Sequence, residues 1–120
     1  MERLAVSFGH AWRGIRYVIK HEKNARIHLV FAVVVLILGL VLGITNRDLA
    51  AILMAVIIVF FAEIMNTAFE KTLDLVQPNH HPQVKLIKDM AAGAVLVTAV
   101  VSAAIGIVIF TPYLVGLWPR

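Results

Sequence analysis

The sequence predicts an all-α membrane protein: an N-terminal amphipathic surface helix followed by three transmembrane helices. Three observations carry that prediction. Of 120 residues, 61% are hydrophobic and only 15% charged, with a mean hydropathy of +0.90. A soluble domain this small has too much surface for so few charges to cover. Three long apolar runs are separated by short polar stretches, whereas the N-terminal segment shows helical amphipathicity with a basic face. Intrinsic disorder is excluded by the same composition. The expected organisation is one membrane domain over residues 1–120, with an interfacial helix at 1–26 and membrane helices at 27–44, 49–76 and 88–111.

In the first element, Leu4, Phe8, Trp12, Ile15 and Ile19 fall on one stripe at helical spacing, while Arg13, Arg16, Lys20 and Lys23 lie on the other side. This is the pattern of a helix lying in the membrane interface. An ordinary soluble-type helix packed on a partner is the alternative. Glu22 and Arg26 break the pattern, because both project along the apolar stripe. Their spacing of four would let them pair with each other, and Glu22 is expected to point into the protein body. No cleavable signal is expected here, since the first long apolar run starts at Leu29 and no small-residue cleavage site ends it.

Leu29 to Ile44 contains no polar side chain. With Ile27 and the snorkelling Arg26 and His28 it is long enough for a first span. Thr45-Asn46-Arg47-Asp48 is a polar turn. Leu49 to Ala62 is again apolar but short for a span, so the second helix is expected to continue through Glu63. Gln77 to Gln83 reads as a loop, with Pro78 and Pro82 stopping helices. Met90 to Phe110 is the third span, and Pro112 is expected to end it. That span is rich in small residues, including the pairs Ala99/Ala103 and Ser102/Gly106, a spacing that permits close helix contact in lipid.

The chain has 11 Lys and Arg against 7 Asp and Glu, a net charge of +4. Because Arg3, Arg13, Arg16, Lys20, Lys23 and Arg26 all precede the first span, anionic lipid headgroups explain the basicity better than nucleic acid. The positive-inside rule then puts the N-terminus in the cytoplasm, the 77–83 loop on the same side, and the C-terminus, with Arg120, outside. The absence of cysteine excludes a disulfide framework and a thiolate site.

Chemistry concentrates on the second membrane helix. Glu63, Asn66, Glu70 and Asp74 are spaced three, four and four apart, which places them in one sector of a helix, with Thr67 beside it. The set spans about 16 Å along the axis at 1.5 Å per residue. Glu63 is therefore deepest, near the acyl boundary, and Asp74 is near cytoplasmic water. Acids on one face near lipid repel one another and require cations; Lys85, Lys88, Arg26 or a bound metal are the candidates. Glu22 and Asp89 belong to the same cytoplasmic level, so carboxylates from three elements are expected to converge. Oxygen-rich sites of this kind suit Mg²⁺, which takes one or two carboxylates together with phosphate oxygens. The depth gradient suits a lipid hydroxyl arriving from the membrane and a polyphosphate arriving from the cytoplasm. That combination points to phosphoryl transfer, with the deep carboxylate taking the hydroxyl proton. No P-loop, GxGxxG loop or protein-kinase motif set is present, and the adjacent His80 and His81 have poor spacing for zinc. A purely structural ion-pair network, a non-catalytic scaffold, and a small proton or cation transporter are the competing readings. The transporter is disfavoured because the outer half of the spans lacks a polar track.

The run Glu63-Ile-Met-Asn66-Thr-Ala-Phe-Glu70-Lys-Thr-Leu-Asp74 resembles the signature E-x-x-N-[ST]-A-x-E-x-x-x-D of the bacterial integral-membrane diacylglycerol kinase family. Lys88-Asp89-Met-Ala-Ala-Gly-Ala-Val95 resembles its second motif. Gly9-His-Ala-Trp12-Arg-Gly14 and Glu22-Lys-Asn-Ala-Arg26 match its surface-helix and pre-span elements. The resemblance covers nearly the whole chain. It implies a homotrimer with active sites shared between subunits, ATP as phosphoryl donor and Mg²⁺ as cofactor. By motif match, Glu63 is the catalytic general base and Glu22 and Glu70 hold the metal. Asn66, Glu70, Asp74, Lys88, Asp89 and Glu22 support the nucleotide, with Arg3, His10, Asn79 and His81 near it. His10 stands where the diacylglycerol-specific branch carries tyrosine. Trp12 and Gly93 are the candidates for contact with the lipid substrate. The Lys88–Ala94 run, Asn24-Ala-Arg-Ile-His28 and the His81-Pro82 pair resemble the undecaprenol kinase branch, which makes undecaprenol the expected substrate and diacylglycerol the alternative.

Overall fold

The computed structural model describes residues 2–116; Arg120 lies outside the described residues. Among them the chain forms four helices and no strand: α1 Glu2–His21, α2 Lys23–Leu42, α3 Asn46–Val76 and α4 Pro82–Gly116. The last three are long and apolar enough to cross a membrane, so the protein is an all-α membrane protein with one amphipathic helix preceding three candidate spans.

The surface helix ends earlier than the amphipathic pattern suggests. Glu22 has extended backbone angles, φ −97° and ψ 117°, and forms a one-residue elbow between α1 and α2. No Gly or Pro dictates this break. It falls where the hydropathy changes from one-sided to all-round, so the chain must turn from lying along a surface to entering an apolar medium. Packing holds the elbow, with Val18 and Ala25 buried on either side of it. Arg26 does not pair with Glu22. Its guanidinium donates to the Lys20 carbonyl at 2.7 Å, capping the end of α1. The elbow falls at Glu22 itself, whose extended backbone takes it out of the helical register an i, i+4 side-chain pair needs, although the Arg26 amide still bonds to the Glu22 carbonyl at 3.3 Å.

At the far end, α2 stops at Leu42 because Gly43 adopts the left-handed conformation, φ 62° and ψ 43°, which glycine enters without steric penalty. Thr45 then caps α3, accepting from the Asp48 amide at 3.2 Å while its hydroxyl donates to Asp48 Oδ2 at 2.9 Å. Tyr113 of α4 donates its hydroxyl to the same carboxylate at 2.6 Å and accepts from the Thr45 amide at 3.1 Å. One phenol thus pins the α2–α3 turn to α4. The reach of Tyr113 depends on α4 continuing through Pro112, which was expected to end it. Membrane helices tolerate an internal proline when neighbouring groups accommodate the lost backbone bond.

α3 and α4 run about 46 Å and 52 Å at 1.5 Å per residue, well beyond the ~30 Å of bilayer hydrocarbon. Their excess projects at the end joined by the 77–81 loop, where Pro82 begins α4 at the position that tolerates a missing amide. The most extensive helix contact is between α3 and α4, and α2 touches α4 least. Ile52, Ala55, Val59, Glu63 and Thr67 form the buried stripe of α3. The buried residues of α2 are Ala25, Ala32 and Gly39, small residues seven apart. Close approach in lipid favours such residues, because association there rests on packing more than on solvent exclusion. Ser102 of α4 adds a hydroxyl bond to the Ala55 carbonyl at 3.1 Å.

Candidate active site

Glu63 and Thr67 sit one turn apart at the inner end of the α3 stripe, only 2% and 3% exposed. They are buried because the small residues around them let three helices close in. A carboxylate in this position is costly unless something answers its charge. The answering group is His28 of α2, whose Nε2 lies 3.3 Å from Glu63 Oε1. The contact is at ion-pair distance but out of line for a hydrogen bond, and both Glu63 Oε1 and Thr67 Oγ1 lack a hydrogen-bond partner among the described residues. An ionisable pair with spare hydrogen-bonding capacity is suited to receiving a third polar group.

Of the cations expected to answer the acid face, Lys88 does so, and Lys85 and Arg26 turn to other partners. Lys88 Nζ reaches Asp74 Oδ1 at 2.6 Å, linking α4 to α3. Lys85 Nζ meets Asp89 Oδ2 at 2.7 Å within α4, and Arg26 caps α1. None of the three answers Glu63, which lies about 16 Å below Asp74 along α3; His28, in the second turn of α2, stands at its depth. From sequence His28 reads as a snorkelling flank of the first span and as part of the Asn24–His28 run, with no link to Glu63. The available signal was its position inside a span, where an ionisable side chain is a functional candidate by default.

Glu22 is half-buried at the elbow that opens α2. Lys71, whose ammonium is 5.9 Å from the centre of the Tyr17 ring, lies within electrostatic reach of both Glu22 and Glu70. Lys71 and Tyr17 thus join α1 to the acid face, and neither was singled out from sequence. The convergence of carboxylates is looser than expected: among the described residues no three acid or histidine side chains come together around one point. Glu22 is half-buried at the elbow and Glu70 is exposed on α3; carboxylate oxygens are the donor type that Mg²⁺ takes together with phosphate oxygens and water.

The other predicted residues are distributed by depth. Asn66 is half-buried beside Thr67, while Glu70, Asp74 and Asp89 are exposed at the projecting ends of α3 and α4. Asn79 and His81 are exposed on the connecting loop, where His81 Nδ1 accepts from the Gln83 amide at 3.2 Å. On α1, Arg3, His10 and Trp12 are exposed, and His10 Nδ1 accepts from Arg13 at 3.0 Å. The structure does not bring Arg3 or His10 to the α3 acids within one chain. Gly93, on α4, has open space where a Cβ would be.

The profile of the family described as prokaryotic diacylglycerol kinase matches residues 9–110. The chain belongs to this family. It is similar to a protein named undecaprenol kinase from Bacillus subtilis (strain 168), with 41% identity over 114 residues, covering 95% of this chain and 93% of that one. A diacylglycerol kinase from Synechocystis sp. is 35% identical over 115 residues, 95% of this chain and 66% of its own length. The diacylglycerol kinase of Escherichia coli (strain K12) is 25% identical over 100 residues, 83% of this chain and 82% of the relative. The matched family region contains Glu63, His28 and the whole acid face of α3.

Proposed function

We propose that the protein is an ATP-dependent lipid kinase that phosphorylates undecaprenol to undecaprenyl phosphate. The observation that carries this reading is the buried Glu63 carboxylate, held on a membrane-crossing helix whose acid face continues toward the cytoplasmic end at Asp74. Family membership and the likeness to the Bacillus undecaprenol kinase support it. The relatives named diacylglycerol kinase favour a second reading, with diacylglycerol as acceptor and phosphatidic acid as product.

In this reading Glu63 is the general base. It takes the proton of the lipid hydroxyl as that oxygen bonds to the γ-phosphorus and the bond to ADP breaks. His28 holds the carboxylate and answers its charge. Glu22 and Glu70 hold Mg²⁺, which when bound neutralises phosphate charge. Asn66, Asp74, Lys88 and Asp89 position the nucleotide, with Arg3, His10, Asn79 and His81 at its periphery. Trp12 and Gly93 border the lipid. A homotrimer with sites shared between subunits accounts for Arg3 and His10 standing apart from the acids within one chain. A radius of gyration of 18.0 Å, against about 14 Å for a compact domain of this length, also fits a protomer that completes its packing in an assembly. The N-terminus is cytoplasmic and the C-terminus external.

A transporter is disfavoured on a specific observation. Outward of His28 the helices enclose apolar walls, and the hydroxyls there are bonded internally, Ser102 to Ala55 O and Thr111 to Ile107 O. An ion would find no polar track. The test is a transfer assay on purified protein in detergent with Mg-ATP and undecaprenol or diacylglycerol. Phosphorylated undecaprenol is expected, and absence of product from both lipids would overturn the reading.

A further inference from the structure

Four threonines lie inside the helices, and three of them dispose of their hydroxyls in the same way. Thr72 donates to the Ala68 carbonyl at 2.8 Å, Thr98 to the Val95 carbonyl at 2.9 Å and Thr111 to the Ile107 carbonyl at 2.6 Å. A helical threonine has a carbonyl of the preceding turn at hand, so this bond is the local default. Thr67 departs from it. Its side chain is buried, yet Oγ1 has no hydrogen-bond partner among the described residues. The default was open to it, because the Glu63 carbonyl stands one turn back on the same helix. A buried hydroxyl left unbonded costs stability, so its persistence calls for a specific reason, of which contact with a ligand is one.

A second unpartnered atom lies beside it. Glu63 Oε1 is the other buried side-chain atom without a hydrogen bond among the described residues. The two residues are four apart on α3, which puts their side chains on one face, close enough for one small group to touch both. Their capacities are complementary. An ionised carboxylate only accepts, whereas a threonine hydroxyl can donate. One group that donates to the first and accepts from the second satisfies both, and an alcohol does so with a single oxygen. A phosphate oxygen without a proton has nothing to give Glu63, and an ammonium has no lone pair for Thr67.

We propose that Thr67 is a substrate-binding residue that positions the acceptor alcohol. Its hydroxyl donates to the alcohol oxygen while the alcohol donates its own proton to Glu63. The inference rests on the lipid-kinase reading and adds to it the group that orients the nucleophile. An alcohol oxygen has two lone pairs. With one held by Thr67 and the O–H bond aimed at Glu63, the other is left for the phosphorus. In transfer the alcohol proton passes to the Glu63 carboxylate and the alcohol oxygen bonds to the γ-phosphorus. The bond from that phosphorus to ADP breaks, its electron pair leaving with ADP. Thr67 keeps its own proton throughout, and its contribution is orientation.

Thr67→Val tests it, because valine keeps the shape and removes only the hydroxyl; Thr67→Ser keeps the hydroxyl. With full-length protein in micelles and Mg-ATP, Thr67→Val is expected to lower kcat/KM for undecaprenol about tenfold, the scale of one hydrogen bond to substrate. The KM for ATP is expected to be unchanged, and Thr67→Ser to recover most of the loss. Thermal unfolding separates this from a structural role. Thr67→Val removes an unpartnered polar group, so its midpoint is expected to equal or exceed that of the wild type. A lowered midpoint that serine restores would mean that the hydroxyl is bonded within the assembly, for instance to a second copy of the chain, and overturns the proposal. So does a wild-type kcat/KM in Thr67→Val, or a loss confined to the KM for ATP. Thr67→Ala serves if the valine variant does not fold. Binding without ATP supplies a readout independent of turnover. A two-isoprene prenol is expected to bind the wild type more tightly than the matching hydrocarbon without the hydroxyl, and this advantage to shrink in Thr67→Val. An equal advantage in both proteins overturns the proposal. Wild-type protein that shows the Thr67-dependent advantage but phosphorylates no lipid would overturn the kinase reading while sustaining the alcohol site.

Discussion

Nε2 of His28 lies 3.3 Å from Oε1 of Glu63, joining the second turn of α2 to the middle of α3. The pair is where the apolar cavity meets the acid face. A carboxylate buried without a partner would protonate or push the helices apart. The imidazole stabilises it in place and leaves it free to accept a further proton donor.

Glu63→Gln preserves shape and removes the base. Phosphoryl transfer is expected to fall by about 10²–10⁴-fold, the usual contribution of a positioned general base, with ATP affinity retained. Single-turnover transfer and calorimetric nucleotide titration measure the two separately. Loss of both together would assign Glu63 a structural role.

His28→Leu strips the partner from a buried carboxylate, a change that costs about 1–3 kcal/mol. Thermal unfolding in micelles is expected to shift down and turnover to drop. His28→Gln keeps a donor at similar reach and is expected to recover much of both. Equal loss in the two variants would mean that the charge or shape of the imidazole matters and that a neutral donor does not replace it.

Lys88→Met separates structure from substrate binding. The Lys88–Asp74 pair is partly exposed, 34% and 50% at the side chains, so it is worth about 0–1 kcal/mol to stability. Unfolding is expected to be nearly unchanged while the KM for ATP rises. A stability loss with unaltered KM would make the pair a helix tie.

Ser102→Ala removes an interhelical bond to the Ala55 carbonyl and is expected to cost about 0.6 kcal/mol, the average for such bonds in membranes. Gly39→Val is the harsher change. A Cβ at Gly39 would lie 2.8 Å from Ile44 Cδ1, which can move, but the valine methyls extend further into a buried contact, at about 1–3 kcal/mol. Equilibrium unfolding of the two variants should rank them in that order.

Much of this architecture was legible one residue at a time. The all-round hydropathy of α2 to α4 identified them as spans, and the spacing of Glu63, Asn66, Glu70 and Asp74 put them on one face, because helical periodicity is a local property. Local signals misled where contacts between helices decide. Pro112 reads as a stop, yet α4 passes through it and delivers Tyr113 to Asp48. Arg26 reads as a partner of Glu22, yet the elbow sends it to Lys20. The third span is rich in small residues, yet the buried small residues are Ala25, Ala32 and Gly39 on α2 and Ala55 on α3.

The sequence by itself determined that this chain belongs in a membrane, how many helices cross it, and which residues carry chemistry, because each follows from composition or from spacing along one helix. Only the tertiary structure decided that His28 answers Glu63, that Lys88 answers Asp74 while Lys85 turns to Asp89, and that an apolar cavity lies between the helices outward of His28. Most of those are relations between residues far apart in the chain. They depend on how closely small side chains let two helices approach and how far α2 stays from α4, which no single helix encodes.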